Sequence, residues 1–163
     1  TTDGLTDLPN RRHFLALCER ELRRSARTGR PVAVAVIDID HFKSINDNHG
    51  HAAGDEAVVA FAKAVTSRMR GIDTLGRLGG DEFGMLMPDA ELDGALLGIQ
   101  RLQEELSLQP WLIEGRPTAI TFSAGLTVAA AADETVDGVL ARADRALYDA
   151  KEQGRNRVVG RPA

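Results

Sequence analysis

The chain is 163 residues long, 43% hydrophobic and 27% charged, the make-up of one globular domain with room for a sizeable core. A formal net charge of −4 argues against a broad nucleic-acid-binding surface while leaving room for a local basic pocket. The lone cysteine, Cys18, excludes an internal disulfide and a cysteine-based zinc site; no apolar run reaches membrane-spanning length and no signal peptide is evident.

The chain opens on Thr1 rather than Met, so residues 1–163 are expected to be a single domain excised from a longer regulatory protein. Asp3 to Asn10 is a turn-rich lead-in. From Arg11 to Arg27 the apolar residues Phe14, Leu17, Cys18 and Leu22 share one helical face, and Gly29 and Pro31 stop the helix. Val32 to Ile37 is an unbroken apolar run, as expected for a central strand covered on both faces, and it closes on Asp38-Ile39-Asp40. A carboxylate at the end of such a strand is a common location for a site in α/β folds. His41 to Asp55 is polar and glycine-punctuated. A second helix is expected after it, from Glu56 to about Arg70, with Val58, Phe61, Val65 and Met69 along its buried stripe.

Arg70-Gly71-Ile72-Asp73 leads into a stretch where Gly79-Gly80 separates the strand-like runs Thr74 to Leu78 and Phe83 to Met87. Glycine accepts positive φ, so a tight hairpin is expected, with Asp81 and Glu82 at its tip. A third amphipathic helix covers Glu91 to Leu106. Trp111 to Ile113 and Thr118 to Val128 read as strands. A fourth helix runs from about Thr135 to Glu152 and is capped by Gly154, with Val158-Val159 as a last short strand. The order α-β-α-β-β-α-β-α-β predicts an α/β (α+β) fold, a mixed sheet with helices packed on it. Adjacent carboxylates on a stiff turn suit a hard divalent cation such as Mg²⁺, although such a turn taken alone reads more simply as a solvated acidic loop.

Four segments together carry a family resemblance: Leu5-Thr6-Asp7-Leu8-Pro9-Asn10-Arg11-Arg12; Asp38 to Lys43 with Asn46-Asp47, Gly50-His51 and Gly54-Asp55; Gly79-Gly80-Asp81-Glu82-Phe83; and Ala143 to Tyr148 with Ala150-Lys151 and Gly154-Arg155-Asn156. In that order and spacing they resemble the GGDEF family of diguanylate cyclases over nearly the whole chain. The resemblance implies a palm-like, largely antiparallel core related to nucleotidyl cyclases, and a reaction that joins two GTP into cyclic di-GMP with release of pyrophosphate. It further implies that Asp38, Glu82 and the backbone carbonyl of Ile39 bind Mg²⁺ (or Mn²⁺), with Asp81 either a further ligand or the proton acceptor.

By the same resemblance Asn46 and Asp55 read the guanine base with His51 nearby, while Phe42, Lys43, Gly79, Gly80, Lys151 and Arg155 contact the substrate. The chemistry is consistent, since guanine presents N1–H and N2–H₂ donors that a carboxylate and an amide can satisfy. Asp55 also suits a helix N-cap, and both roles are compatible. Of only three lysines, Lys43 and Lys151 fall in these segments, and Lys151 and Arg155 lie one helical turn apart, able to share a phosphate. Three histidines, His41, His49 and His51, would allow a zinc cluster, which the oxygen-rich acids elsewhere disfavour. Arg70 and Asp73 match the family's RxxD product-binding site, joined by Arg101 on the third helix. His49, Asp7 and Ala124 depart from residues frequent in the family without touching a proposed ligand. The implied working unit is a homodimer of cytoplasmic, bacterial origin, with the isolated domain monomeric and without direct membrane contact. Rival readings are a catalytically silent receptor for cyclic di-GMP or GTP, an interaction module without nucleotide affinity, and another nucleotidyl cyclase, which base-swapping at Asn46 and Asp55 would discriminate.

Overall fold

The computed structural model describes residues 1–129 and 134–163. Helix α1 (Arg11–Thr28) starts where the Asn10 side chain accepts from the His13 N–H at 2.9 Å and ends at Gly29, whose φ of 73° breaks the helical path. Strand β1 (Val32–Ile39) is the centre of the sheet. A short helix, α2 (Phe42–His49), and a longer one, α3 (His51–Thr66), follow. The hairpin β2 (Thr74–Gly79) and β3 (Glu82–Pro88) precedes α4 (Leu92–Leu108). A small two-stranded unit, β4 (Leu112–Ile113) and β5 (Arg116–Pro117), leads to β6 (Phe122–Ala129), α5 (Val136–Glu152) and β7 (Val158–Arg161).

Among the described residues the main sheet has five strands in the order β2-β3-β1-β6-β7. β1 pairs antiparallel with both β3 and β6, and only β7 runs parallel, alongside β6. Alternation along β1 divides the core. Ala33, Ala35, Ile37 and Ile39 face α3 and α4, with Phe61, Ile99 and Leu102. Val32, Val34 and Val36 face α1 and α5, with Phe14, Val139 and Leu140. Phe61 packs between Phe83 and Phe122, ring centroids 5.2 and 5.6 Å away. Each such buried ring stabilises the fold by roughly 1.5–3 kcal/mol. Phe14 is fully buried where the hairpin has no side chains. A Cβ on Gly76 would lie 2.7 Å from its ring and one on Gly84 2.5 Å from it.

Two expectations need correction. Residues 42–49 and 51–55 are helical, so the second helix begins at His51 rather than Glu56 and ends at Thr66 rather than near Arg70. The joint is Gly50, with φ 89°, and small residues let the helices meet closely: a Cβ on Gly54 would lie 1.9 Å from Asn46 Oδ1. The long strand expected from Thr118 begins only at Phe122, because Arg116 and Pro117 turn back to pair with Ile113 and Leu112. No described helix is long and apolar enough to cross a membrane.

Candidate active site

Asp38 and Glu82 are direct partners in the antiparallel register of β1 and β3. Residues opposite one another in such a ladder project to the same face of the sheet, so two carboxylates 44 positions apart in sequence become neighbours. The Asp81 carbonyl accepts from the Ile39 N–H at 3.2 Å and ties the turn to the strand end. Gly79 pairs with Glu82, leaving Gly80-Asp81 as a two-residue turn in which Gly80 takes φ 50°. A Cβ on Gly79 or Gly80 would meet nothing within 4 Å, so the backbone here lies open to a ligand. Arg77 braces the turn: its guanidinium donates to the Gly80 carbonyl at 2.8 and 3.0 Å and to the Asp3 carboxylate at 3.1 and 3.2 Å.

A cleft of about 490 Å³ opens beside this turn. It brings together Asp38, Ile39, Phe42, Lys43, Asn46, Asp81, Lys151 and Arg155 from the expected set, with Asp40, His41 and Ser44 added. His51 and Asp55, the first and fifth residues of α3, are exposed and lie outside that lining, as do Gly79, Gly80 and Glu82. Asp55 is not a helix cap, since Gly50 holds that position. It follows the glycine that abuts Asn46, which sets the proposed base-reading pair on adjoining helices.

The acids are under electrostatic stress. Asp38 Oδ2 accepts from Lys151 Nζ, while its Oδ1 is buried without a hydrogen-bond partner among the described residues. Such an orphaned oxygen is unfavourable until something electropositive meets it. Burial, then the charge of Asp38, pushes Asp81 above its ordinary carboxyl range against the opposing pull of Lys151 and Arg77. Burial also raises Glu82, followed by the charges of Asp38 and Asp144, with Arg11 opposing. Among the described residues no three His, Cys, Asp or Glu side chains form a ready-made metal cage. Paired carboxylates nonetheless fit a hard divalent cation, which is commonly held by one or two carboxylates together with substrate phosphates.

A second cleft, of about 610 Å³, brings together Arg70, Asp73 and Arg101. Arg70 and Asp73 are already paired, Nη2 to Oδ1 at 2.7 Å, and Arg70 Nη2 also donates to the Pro88 carbonyl at 3.0 Å. The Asp73 side chain is 7% exposed against 50% for Arg70, so the guanidinium is the partner that faces solvent.

Asp144 and Arg11 stand in the electrostatic neighbourhood of Asp38 and Glu82, in segments singled out above without a role for either. Burial and the Asp38 charge raise the Asp144 carboxyl, while Arg11 and Lys151 oppose. One signal was available for Asp144: with Lys151 it falls at i and i+7, one face of α5, whereas Arg155 lies beyond the helix in a left-handed bend and reaches the cleft from there, not from one helical turn after Lys151. Arg11 belongs to a different element, and only the packing of α1 on the sheet brings its charge to Glu82.

The family model described as "Diguanylate cyclase, GGDEF domain" matches residues 1–157. Diguanylate cyclase DgcP of Pseudomonas aeruginosa is 42% identical over 157 residues, 96% of this chain and 23% of DgcP. Response regulator PleD of Caulobacter vibrioides is 41% identical, over 99% of this chain and 36% of PleD. The chain thus spans well under half the length of these relatives. The crystal structure of the GGDEF domain of DgcB from Caulobacter crescentus, in complex with c-di-GMP, superposes with a TM-score of 0.93 at 34% identity, covering 98% of this chain and 92% of that domain. With the sheet order, the paired acids and the matched segments in agreement, the chain belongs to the GGDEF domain family.

Proposed function

We propose that this chain is the catalytic domain of a diguanylate cyclase, condensing two GTP into cyclic di-GMP with release of pyrophosphate. The observation that carries the reading is the direct pairing of Asp38 with Glu82 beside an open glycine turn. Membership of the GGDEF domain family and the likeness to DgcP, a diguanylate cyclase, support it.

In the proposed reaction the 3′-hydroxyl oxygen of one GTP attacks the α-phosphorus of the other. The bond from that phosphorus to the bridging oxygen breaks, pyrophosphate leaves with the electron pair, and the hydroxyl proton passes to a base. Asp81, whose raised carboxyl range suits proton transfer, is that base or a further cation ligand. A second attack of the same kind closes the ring. Lys43, Lys151 and Arg155 line the cleft and offset the triphosphate charge, and Asn46 with Asp55 satisfies the guanine edge, with Phe42 and His51 alongside. Mg²⁺ or Mn²⁺, held by Asp38, Glu82 and the Ile39 carbonyl, would lower the hydroxyl pKa and neutralise the leaving group.

One GTP per domain requires two copies to face each other, so the working unit is a homodimer and the isolated domain is monomeric and slow. Sedimentation showing a tight, active dimer at sub-micromolar concentration would refute that. The cleft holding Arg70, Asp73 and Arg101 is the product-inhibition site, a reading that rests on the RxxD spacing and on the cleft that gathers the three residues, while the DgcB complex supports only that a domain of this family binds c-di-GMP. The supply of GTP puts the domain in the bacterial cytoplasm. The deciding assay is GTP with Mg²⁺ at high protein concentration, products separated by chromatography. Cyclic di-GMP is expected; nucleotide binding without turnover would replace the enzyme by a receptor.

A further inference from the structure

Arg155 sits on an unusual bend. Past the end of α5, Gly154, Arg155 and Asn156 follow one another with φ of 117°, 63° and 49°. Two successive non-glycine residues in the left-handed region are strained, and such strain persists only where the surroundings impose it. Here the surroundings are specific. The Arg155 N–H donates to the Ala150 carbonyl at 3.0 Å, and Arg157 Nε donates to the Arg155 carbonyl at 3.0 Å. The Asn156 N–H donates to Asp40 Oδ2 at 3.0 Å, and Gln103 Nε2, reaching from α4, donates to Asn156 Oδ1 at 2.6 Å.

Asp40 lies two residues after Asp38, and the pair looks in sequence like two cation ligands. Its surroundings say otherwise. It is 7% exposed, and its carboxylate is taken up by three donors: Ser123 Oγ and Thr121 Oγ1, each at 2.7 Å, and the Asn156 N–H. Buried carboxylates satisfied this way fix geometry.

We propose that Asp40 and Gln103 are positioning residues for Arg155, acting through Asn156. Neither has to touch nucleotide. They hold the left-handed bend so that the Arg155 guanidinium stands at the mouth of the cleft, ready for the triphosphate. The proposal rests on the reading of Arg155 as a phosphate contact, and it separates the two acids of Asp38-Ile39-Asp40 into a site acid and an anchor.

The test is calorimetric titration with 3′-deoxy-GTP, which lacks the attacking hydroxyl, on wild type, Gln103→Ala, Arg155→Ala and the double variant. Arg155→Ala should weaken binding about tenfold and Gln103→Ala about threefold, with the double variant no worse than about tenfold because both act through one group. Asn156→Gly keeps the left-handed backbone and the Asp40 contact but loses the Gln103 partner, so it should match Gln103→Ala. Asp40→Asn can keep all three contacts, its oxygen accepting from Thr121 and Asn156 and its amide donating to Ser123, and should bind within about twofold of wild type. Unchanged affinity in Gln103→Ala, a multiplicative loss of about thirtyfold in the double variant, or a folded Asp40→Asn as weak as Arg155→Ala would each overturn the proposal. A wild-type chain that fails to bind the analogue would instead sink the nucleotide site itself, a distinguishable result.

Discussion

Lys151 Nζ donates to Asp38 Oδ2, tying the last helix to the central strand across 113 residues of sequence. The lysine side chain is 35% exposed and the aspartate 15%, so the pair is partly screened, yet the aspartate depends on it as the one hydrogen-bond partner of its side chain among the described residues. Lys151→Met should lower stability by about 1 kcal/mol. Millimolar Mg²⁺ should raise the melting temperature of this variant more than that of wild type, because a cation that binds the folded state stabilises by mass action and meets the charge the lysine left. Equal shifts in the two proteins would detach Lys151 from the cation position.

Glu82→Gln removes a carboxylate that burial and neighbouring charges disfavour. Turnover should fall by roughly 10²–10³ if the group stabilises transition-state charge, while the urea midpoint at neutral pH holds or rises slightly. Retained cyclic di-GMP synthesis would remove Glu82 from the chemistry.

Stability against pH should show two limbs of opposite origin. Asp81, Glu82 and Asp144 are raised above ordinary values of 3.8, 4.5 and 3.8. A raised acid holds its proton more tightly folded than unfolded, so without divalent cation these groups cost stability as pH climbs from the ordinary values through the raised ones. Asp3 behaves conversely. Burial works to raise it, but bonds from Thr6 and Arg77 outweigh burial and hold it below 3.8. Its contribution is present above that value and lost as pH falls through the lowered one. Urea midpoints across pH should lose the acid limb in Asp3→Asn and part of the opposite limb in Glu82→Gln; parallel curves for all three proteins would contradict both assignments.

Arg70→Ala should relieve inhibition by cyclic di-GMP, weakening its binding about a hundredfold through loss of charge-assisted contacts, with GTP turnover kept. The variant also strands the largely buried Asp73, so a modest drop in melting temperature should accompany it. Arg70→Lys should not restore inhibition, since an ammonium lacks the planar fork. Product inhibition unchanged in Arg70→Ala would assign the second cleft to something else.

Sequence reasoning reached β1 and the acid hairpin because these rest on short-range signals, an unbroken apolar run and a glycine pair that favours a tight turn, whereas the meeting of Asp38 with Glu82 is a long-range pairing that only the family resemblance implied. It failed on α2 and the start of α3 for a physical reason. Between Phe42 and His49 only Phe42 and Ile45 are apolar, with the polar Lys43, Ser44 and Asn46 lining the cleft, and Gly54 is small where two helices touch. A helix whose polar side is its working side hides its period. The parallel course of β7 and the convergence of Arg11 with Asp144 depend on tertiary packing and leave no local trace.

The ring of Phe14 fills the space left by Gly76 and Gly84 with nothing to spare. Helix α1 and the acid-bearing hairpin are consequently one mechanical part, further pinned where Arg77 grips Asp3. A displacement of that helix would therefore be passed on to the turn that carries Asp81 and Glu82. Any side chain grafted onto either glycine would unseat that lever before altering a single charge.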